Sequence, residues 1–384
     1  MTSGMLTAGT SRYTRAHLAD EMSRLKISGG LLSFETTKAN LEAAIALAGH
    51  VLREASFPEA EFVRLRKQML AGLEAGRNDP GTLASKAMAL HFNRYPAGDF
   101  RAAESVEESI AGINAVTLAD IKAFYAQFYG ASKGELAIVG DFEPDAVTGQ
   151  IERAFSGWLS AAPYMRMTPI YSEIEPTRKT IDTPDKESGS YLARLNLLMN
   201  EDDKDYAALL VANYLFGGGA WLDSRLMQRI RQKDGLSYGV NSQLSINTFN
   251  RDGRFVISAT AAPQNMARVE AAVREELLRA AREGFSDQEV ARAQSGITQQ
   301  RLQARTRDSN LANGWVQNMY FKRSYQRAEL LDEKIAKVTA AEVSAAFAKY
   351  IQAEKLTVVI AMDETKAGAA TASDKTTPPA AIAN

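Results

Sequence analysis

The sequence repeats itself, weakly but in order, and no other feature restricts its fold as much. Glu35-Thr-Thr-Lys-Ala-Asn-Leu41 precedes one helical stretch, and Phe57-Pro-Glu-Ala-Glu-Phe62 opens a second. Thr260-Ala-Ala-Pro-Gln-Asn-Met266 and Phe285-Ser-Asp-Gln-Glu-Val290 do the same further along. Val116-Thr-Leu-Ala-Asp-Ile-Lys-Ala-Phe-Tyr125 is echoed by Val338-Thr-Ala-Ala-Glu-Val-Ser-Ala-Ala-Phe347. Each copy then ends in an apolar strand-like run, Leu136–Val139 and Leu356–Ile360. The offset between partners stays at roughly 220–228 residues, so order and spacing persist together. The pattern implies an α+β protein of two related domains.

The copies are unequal. The second has a lead-in that the first lacks: Lys179–Asp182, the strand-like Tyr191–Met199 and the helical Asp205–Tyr214. The first opens at Met5–Thr10, which aligns with Leu215–Gly219, so its opening strand and first helix are expected to be absent. A sheet short of strands exposes an unpaired edge. The expected organisation is a truncated first domain over residues 1–160, a Pro-bearing linker over 161–177, a complete second domain over 178–364, and an unstructured Ala/Thr/Ser/Pro-rich tail from 365 to 384.

Periodicity places the elements. Phe62, Leu65, Met69 and Leu73 recur at helical spacing, as do Leu222, Leu226 and Ile230. Thr117 and Asp120 suit a helix start. After Gly235 the period changes to two, with Leu236, Tyr238, Val240, Leu244 and Ile246 expected on one face of a strand. Arg231 then sits at a helix end and Tyr238 early in a strand. A basic and a phenolic side chain at such a junction can hold and polarise a peptide carbonyl. Read without their surroundings, they are a solvated helix-end arginine and a core tyrosine.

Composition excludes several classes. The chain has 384 residues, 45% hydrophobic and 24% charged, as in soluble globular proteins. A net charge of −1 lacks the basic surplus of a nucleic-acid binder. No apolar run approaches the ~20 residues that span a bilayer, and no membrane partner is expected. The first residues, Met1-Thr-Ser-Gly-Met-Leu, do not read as a secretion signal. With no cysteine there is no disulfide, thiolate nucleophile or cysteine-held zinc.

Leu215-Phe-Gly-Gly-Gly219, Ser224-Arg-Leu226 and Arg231-Gln-Lys-Asp-Gly-Leu-Ser-Tyr-Gly-Val240 together resemble the arginine/tyrosine half of pitrilysin- and insulinase-type zinc peptidases, the inverzincins. Phe57–Phe62, Asn78-Asp-Pro80, Glu107–Ile110 and Val139-Gly-Asp-Phe142 resemble that family's other landmarks, so the likeness runs from about residue 5 to 362. It implies domains of the pitrilysin/mitochondrial-processing-peptidase type, each an antiparallel-leaning sheet packed by helices. It also implies two halves closing on a peptide, one carrying zinc on His-x-x-Glu-His and the other supplying an arginine and a tyrosine. By resemblance, Arg231 and Tyr238 take those roles, and Gly217, Gly218 and Gly219 lie near the peptide. The resemblance favours a periplasmic location.

The zinc half is missing from this sequence. Its histidines are His17, His50 and His91, and none precedes Glu-His. Ala71 and Gly72 stand where the distal glutamate would fall, and Glu74 is out of register. No cofactor is expected in this chain; zinc is expected in a partner half, upstream in a longer protein or on a separate subunit. The triple glycine lacks the Lys-Ser/Thr of a nucleotide loop and also suits a tight turn between helices, with Asp223 or Ser224 capping the next. The expected function is the non-zinc half of a metallopeptidase, inactive alone. The alternative is an inactive peptide-binding or assembly subunit.

Overall fold

The computed structural model describes residues 1–219 and 224–373. Leu222 and Asp223 of the patterns above, and residues 374–384 of the expected tail, lie outside this range. The chain forms two compact units. One gathers Met1–Glu74, Glu107–Met167 and Gln303–Tyr325; the other gathers Ala75–Val106, Thr168–Leu302 and the chain from Gln326. Each unit thus takes a segment from the other repeat, and 75–106 and 303–325 are equivalent at the repeat's own offset. A division by contiguous sequence, 1–160 and 178–364, leaves each segment with the repeat that encodes it.

The first unit is mostly helical. Its sheet is a hairpin, with β1 (Ser28–Gly30) antiparallel to β2 (Ser33–Glu35). Helices Leu41–Arg53 and Pro144–Phe155 pack so closely that a Cβ on Gly49 would stand 2.7 Å from the Ala154 Cβ. Leu52, Phe57, Phe62 and Ile121 share a buried cluster with Met5 and Leu6. The expected start at Thr117 is a capping box: Thr117 Oγ1 accepts from the Asp120 N–H, and Asp120 accepts from the Thr117 N–H at 2.8 Å.

Leu136–Val139, expected as this repeat's closing strand, pairs with no strand among the described residues. Leu136 is half exposed. Strands are stabilised by a neighbour's ladder and side chains. In the second repeat the equivalent strand lies between two lead-in strands that have no counterpart among the described residues of the first.

That second unit carries a five-stranded sheet in the order β3-β7-β4-β6-β5. Its strands are β3 (Arg178–Asp182), β4 (Gly189–Leu197), β5 (Gly239–Ile246), β6 (Gly253–Ala261) and β7 (Thr357–Met362). Only β3 and β7 pair in parallel, so the sheet is antiparallel-leaning, as expected. β4 alternates strictly: Tyr191, Ala193, Leu195 and Leu197 are buried, and the residues between them partly so. The buried face meets helices Tyr206–Asn213, Met266–Glu283 and Ala340–Tyr350. Phe216 is the centre of this core, with ring centroids 6.2 Å from Phe255 and 5.1 Å from Phe347. Burying each such ring contributes about 2–3 kcal/mol.

The opposite face is covered at one side by helix Pro80–His91, which lays Ala84, Met88 and Phe92 against Val359 and Ala361. Asp79 caps that helix by accepting the Thr82 N–H at 2.7 Å, with Pro80 in its first turn, which explains the Asn78-Asp-Pro80 landmark. Thr339 and Glu342 repeat the capping box of Thr117 and Asp120. At the expected tail, Glu364–Ser373 is helical. Among the described residues no helix is long and apolar enough to cross a membrane.

Candidate functional site

The site stretch begins where helix Tyr206–Asn213 widens into a π-helical turn, Tyr214–Gly218. A second π-helical stretch, Met227–Lys233, ends with the Asp234 N–H donating to the Arg229 carbonyl at 3.1 Å. π-turns are rare and recur at functional sites. Gly235, at φ +61°, turns the chain out of the helix, a conformation that favours glycine. Leu236 and Ser237 are then buried, and Tyr238 emerges before β5 starts.

Within β5 the expected phase holds, with Val240 buried and Asn241 exposed, but the structure corrects it at Tyr238. Tyr238 is 73% exposed, not on the apolar face with Leu236 and Val240. The cause is Ser237, a buried polar residue that the alternation assigned outward. Its hydroxyl oxygen accepts the Gly239 N–H at 3.1 Å and lies 2.7 Å from the Thr260 carbonyl, to which it donates. The Tyr238 N–H donates to the same carbonyl at 3.0 Å. The backbone around Tyr238 is thereby pinned to the end of β6 while its phenol faces solvent.

Three arginines share this helical stretch, and two are committed. Arg225 pairs with Glu289 at 2.9 Å, donates to the Gly284 carbonyl at 2.8 Å and covers the Phe285 ring. Burial would raise the Glu289 carboxyl, but hydrogen bonds from Arg225 and Ser286 outweigh it and hold the group down at about 2. Arg229 pairs with Asp234 and with Glu275, the latter at 3.0 Å. Arg231 is exposed, and no hydrogen bond or ion pair joins its side chain, or that of Tyr238, to another described residue. Their polar heads are available to a ligand.

The glycine run has a packing reason. A Cβ on Gly217 would stand 2.7 Å from Ser242 Oγ and 2.8 Å from the Ser242 backbone nitrogen, so only glycine allows the helix end to lie this close to β5. On Gly218 it would meet the Asn213 amide at 2.3 Å, and on Gly219 the Tyr214 carbonyl at 2.7 Å. Gly217 is buried, whereas Gly218 is exposed.

Zinc does not fit the described residues of this chain. His50 meets Thr10 Oγ1 at 2.9 Å and Glu54 at 3.2 Å, His91 meets the Glu175 carbonyl at 3.0 Å, and His17 is exposed. Among the described residues no three ligand-type side chains gather around a point that could hold a metal ion. Glu74 is exposed on helix Glu59–Gly76. Sequence reasoning missed a cavity of about 240 Å³ lined by Tyr206, Leu210, Asn213, Tyr214, Ile297 and Arg301. Arg231 and Tyr238 do not line it, and it has no short motif because its walls come from separate segments.

The model of the peptidase M16 inactive domain matches residues 115–297, a span that holds both Arg231 and Tyr238. An uncharacterized zinc protease of Streptomyces coelicolor is 26% identical over 264 residues, 66% of this chain and 54% of that protein. The probable inactive metalloprotease YmfF of Bacillus subtilis is 23% identical over 198 residues, 52% of this chain and 45% of that protein. The chain is similar to the M16 peptidase family on the side of its inactive half. It spans about half the length of these two relatives. The fold agrees. A peptidase M16 inactive domain from Pseudomonas fluorescens superposes with a TM-score of 0.78 at 23% identity, covering 94% of this chain and 87% of that one. The periplasmic protease PqqL of Escherichia coli gives 0.70 at 15% identity, over 94% of this chain and 40% of that one. The M16 resemblance read from the glycine run and the Arg/Tyr stretch therefore holds.

Proposed function

We propose that this chain is the non-zinc-binding half of an M16 metallopeptidase, forming a wall of a peptide chamber and presenting Arg231 and Tyr238 to the substrate backbone. The observation that carries this reading is the pair's state. Neither head is joined to another described residue, while Arg225 and Arg229 on the same stretch are tied down and Tyr238 is held outward by a buried hydroxyl. A guanidinium and a phenol placed this way can donate to a carbonyl oxygen as negative charge develops on it. The water-activating metal belongs to the other half, upstream in a longer protein or on a separate subunit. The periplasm is supported by the likeness to PqqL.

Turnover by the reconstituted pair of halves tests this. Tyr238→Phe should lower kcat by roughly 10–1000-fold, as loss of one oxyanion donor does. The second reading, a peptide-holding or assembly subunit, is favoured by relatives such as the non-peptidase homolog YmxG of Helicobacter pylori. It requires that Tyr238→Phe leave turnover unchanged.

A further inference from the structure

On the face of the sheet away from the main core, three guanidinium groups gather at one end. β4 places Arg194 and Asn196 there, and β6 places Arg254 directly across the ladder from Asn196. Arg94 reaches in from beyond helix Pro80–His91 and donates to the Ser172 carbonyl at 3.0 Å and to that of Ile170. Asn196 Nδ2 donates to the same Ser172 carbonyl at 3.2 Å. Arg194 lies over the Phe92 ring at 4.1 Å and donates from Nη2 to Asn196 Oδ1 at 3.0 Å.

Two donors in this group are unspent. Arg194 Nε is buried with no acceptor. Arg254 is exposed and joined to no other described residue by a side-chain hydrogen bond or ion pair. Neither Arg194 nor Arg94 has an ion pair with a carboxylate among the described residues. Burial, then the fields of Arg254 and Arg94, push Arg194 down to about 10 against the opposing pull of Asp252. A half-buried guanidinium beside two others, with a donor left over, is an unfavourable arrangement that a bound anion would relieve. The planar fork of arginine fits two-oxygen anions best.

We propose that Arg194 and Arg254, steadied by Arg94 and Asn196, bind a carboxylate of an extended peptide. The proposal rests on the peptide-chamber reading and adds a substrate preference to it: a free C-terminus or an acidic side chain is held on this sheet face. The step is binding only and involves no bond making.

Three fluorescein-labelled unstructured decapeptides test it by anisotropy with the whole chain: one uncharged sequence with a free C-terminal carboxylate, the same sequence amidated, and the amidated sequence with one internal residue replaced by glutamate. At least one carboxylate-bearing peptide should bind about tenfold more tightly than the amidated one, since one charge-assisted contact is worth that much. Which of the two does so identifies the source of the carboxylate. Arg254→Ala, an exposed substitution, should erase this advantage and leave the amidated peptide's affinity unchanged. Equal binding of all three peptides overturns the proposal and leaves the chamber reading standing. So does an Arg254→Ala loss that is the same for all three. Failure of every peptide to bind overturns both.

Discussion

Ser242 Oγ donates to Asn213 Oδ1 at 2.8 Å, tying β5 to the helix that runs into the triple glycine. The bond is formed at the one place where helix end and strand approach too closely for any side chain at Gly217. The glycine run is therefore a packing device first, whatever it also offers a ligand.

Gly217→Ala should destabilise the second unit by about 1–3 kcal/mol, the usual cost of overpacking, because its Cβ would strike a ladder nitrogen that cannot move aside. Gly218→Ala meets the Asn213 carbonyl oxygen no closer than 3.1 Å and otherwise the end of the Asn213 side chain, which can shift, so it should cost less. Thermal unfolding of both variants measures the difference; equal midpoints would show that β5 yields.

Ser237→Ala removes the hydroxyl that accepts from Gly239 and bridges to β6. Leaving buried backbone groups unpaired costs about 1–3 kcal/mol. In the reconstituted enzyme it should also lower kcat, because Tyr238 loses the backbone support that turns it outward. A variant that loses stability and keeps full turnover would separate the turn from the chemistry.

Tyr238→Phe and Arg231→Ala should leave urea midpoints nearly unchanged, within about 0.5 kcal/mol, as for exposed side chains without partners. A large loss from either would mean that the residue holds the fold and would undercut its assignment to the site.

Glu289 is held at about 2, below its ordinary 4.5, so it stabilises the folded chain above pH 4.5 and this contribution is lost as pH falls toward 2. Glu289→Gln should lower the urea midpoint at neutral pH and flatten its fall across that acid window relative to the parent. Parallel curves for the two proteins would show that the Arg225 contact gives no net stabilisation.

Much was legible because it is local. Helix caps depend on side chains three residues apart, so Thr117 with Asp120, and its echo at Thr339, mark starts that the structure keeps. The strand-like lead-in forms β3 and β4, and the repeat announces an α+β chain of related parts. The Arg/Tyr stretch and its glycines were enough to show which family the chain resembles. The tail shows the limit of composition, since its first residues are helical.

What the sequence by itself determined, then, were elements whose reasons lie within a few residues: caps, turns, helical and strand periods, and the absence of any run able to ligate zinc. Only the tertiary structure decided which way Tyr238 faces, because the carbonyl that pins its backbone belongs to Thr260 on another strand. Only it left Leu136–Val139 without a ladder, since a strand needs a neighbour and none of the described residues supplies one. The gathering of Arg94, Arg194 and Arg254 is likewise invisible along the chain, because hydrogen-bonded register, not sequence distance, brings charges together.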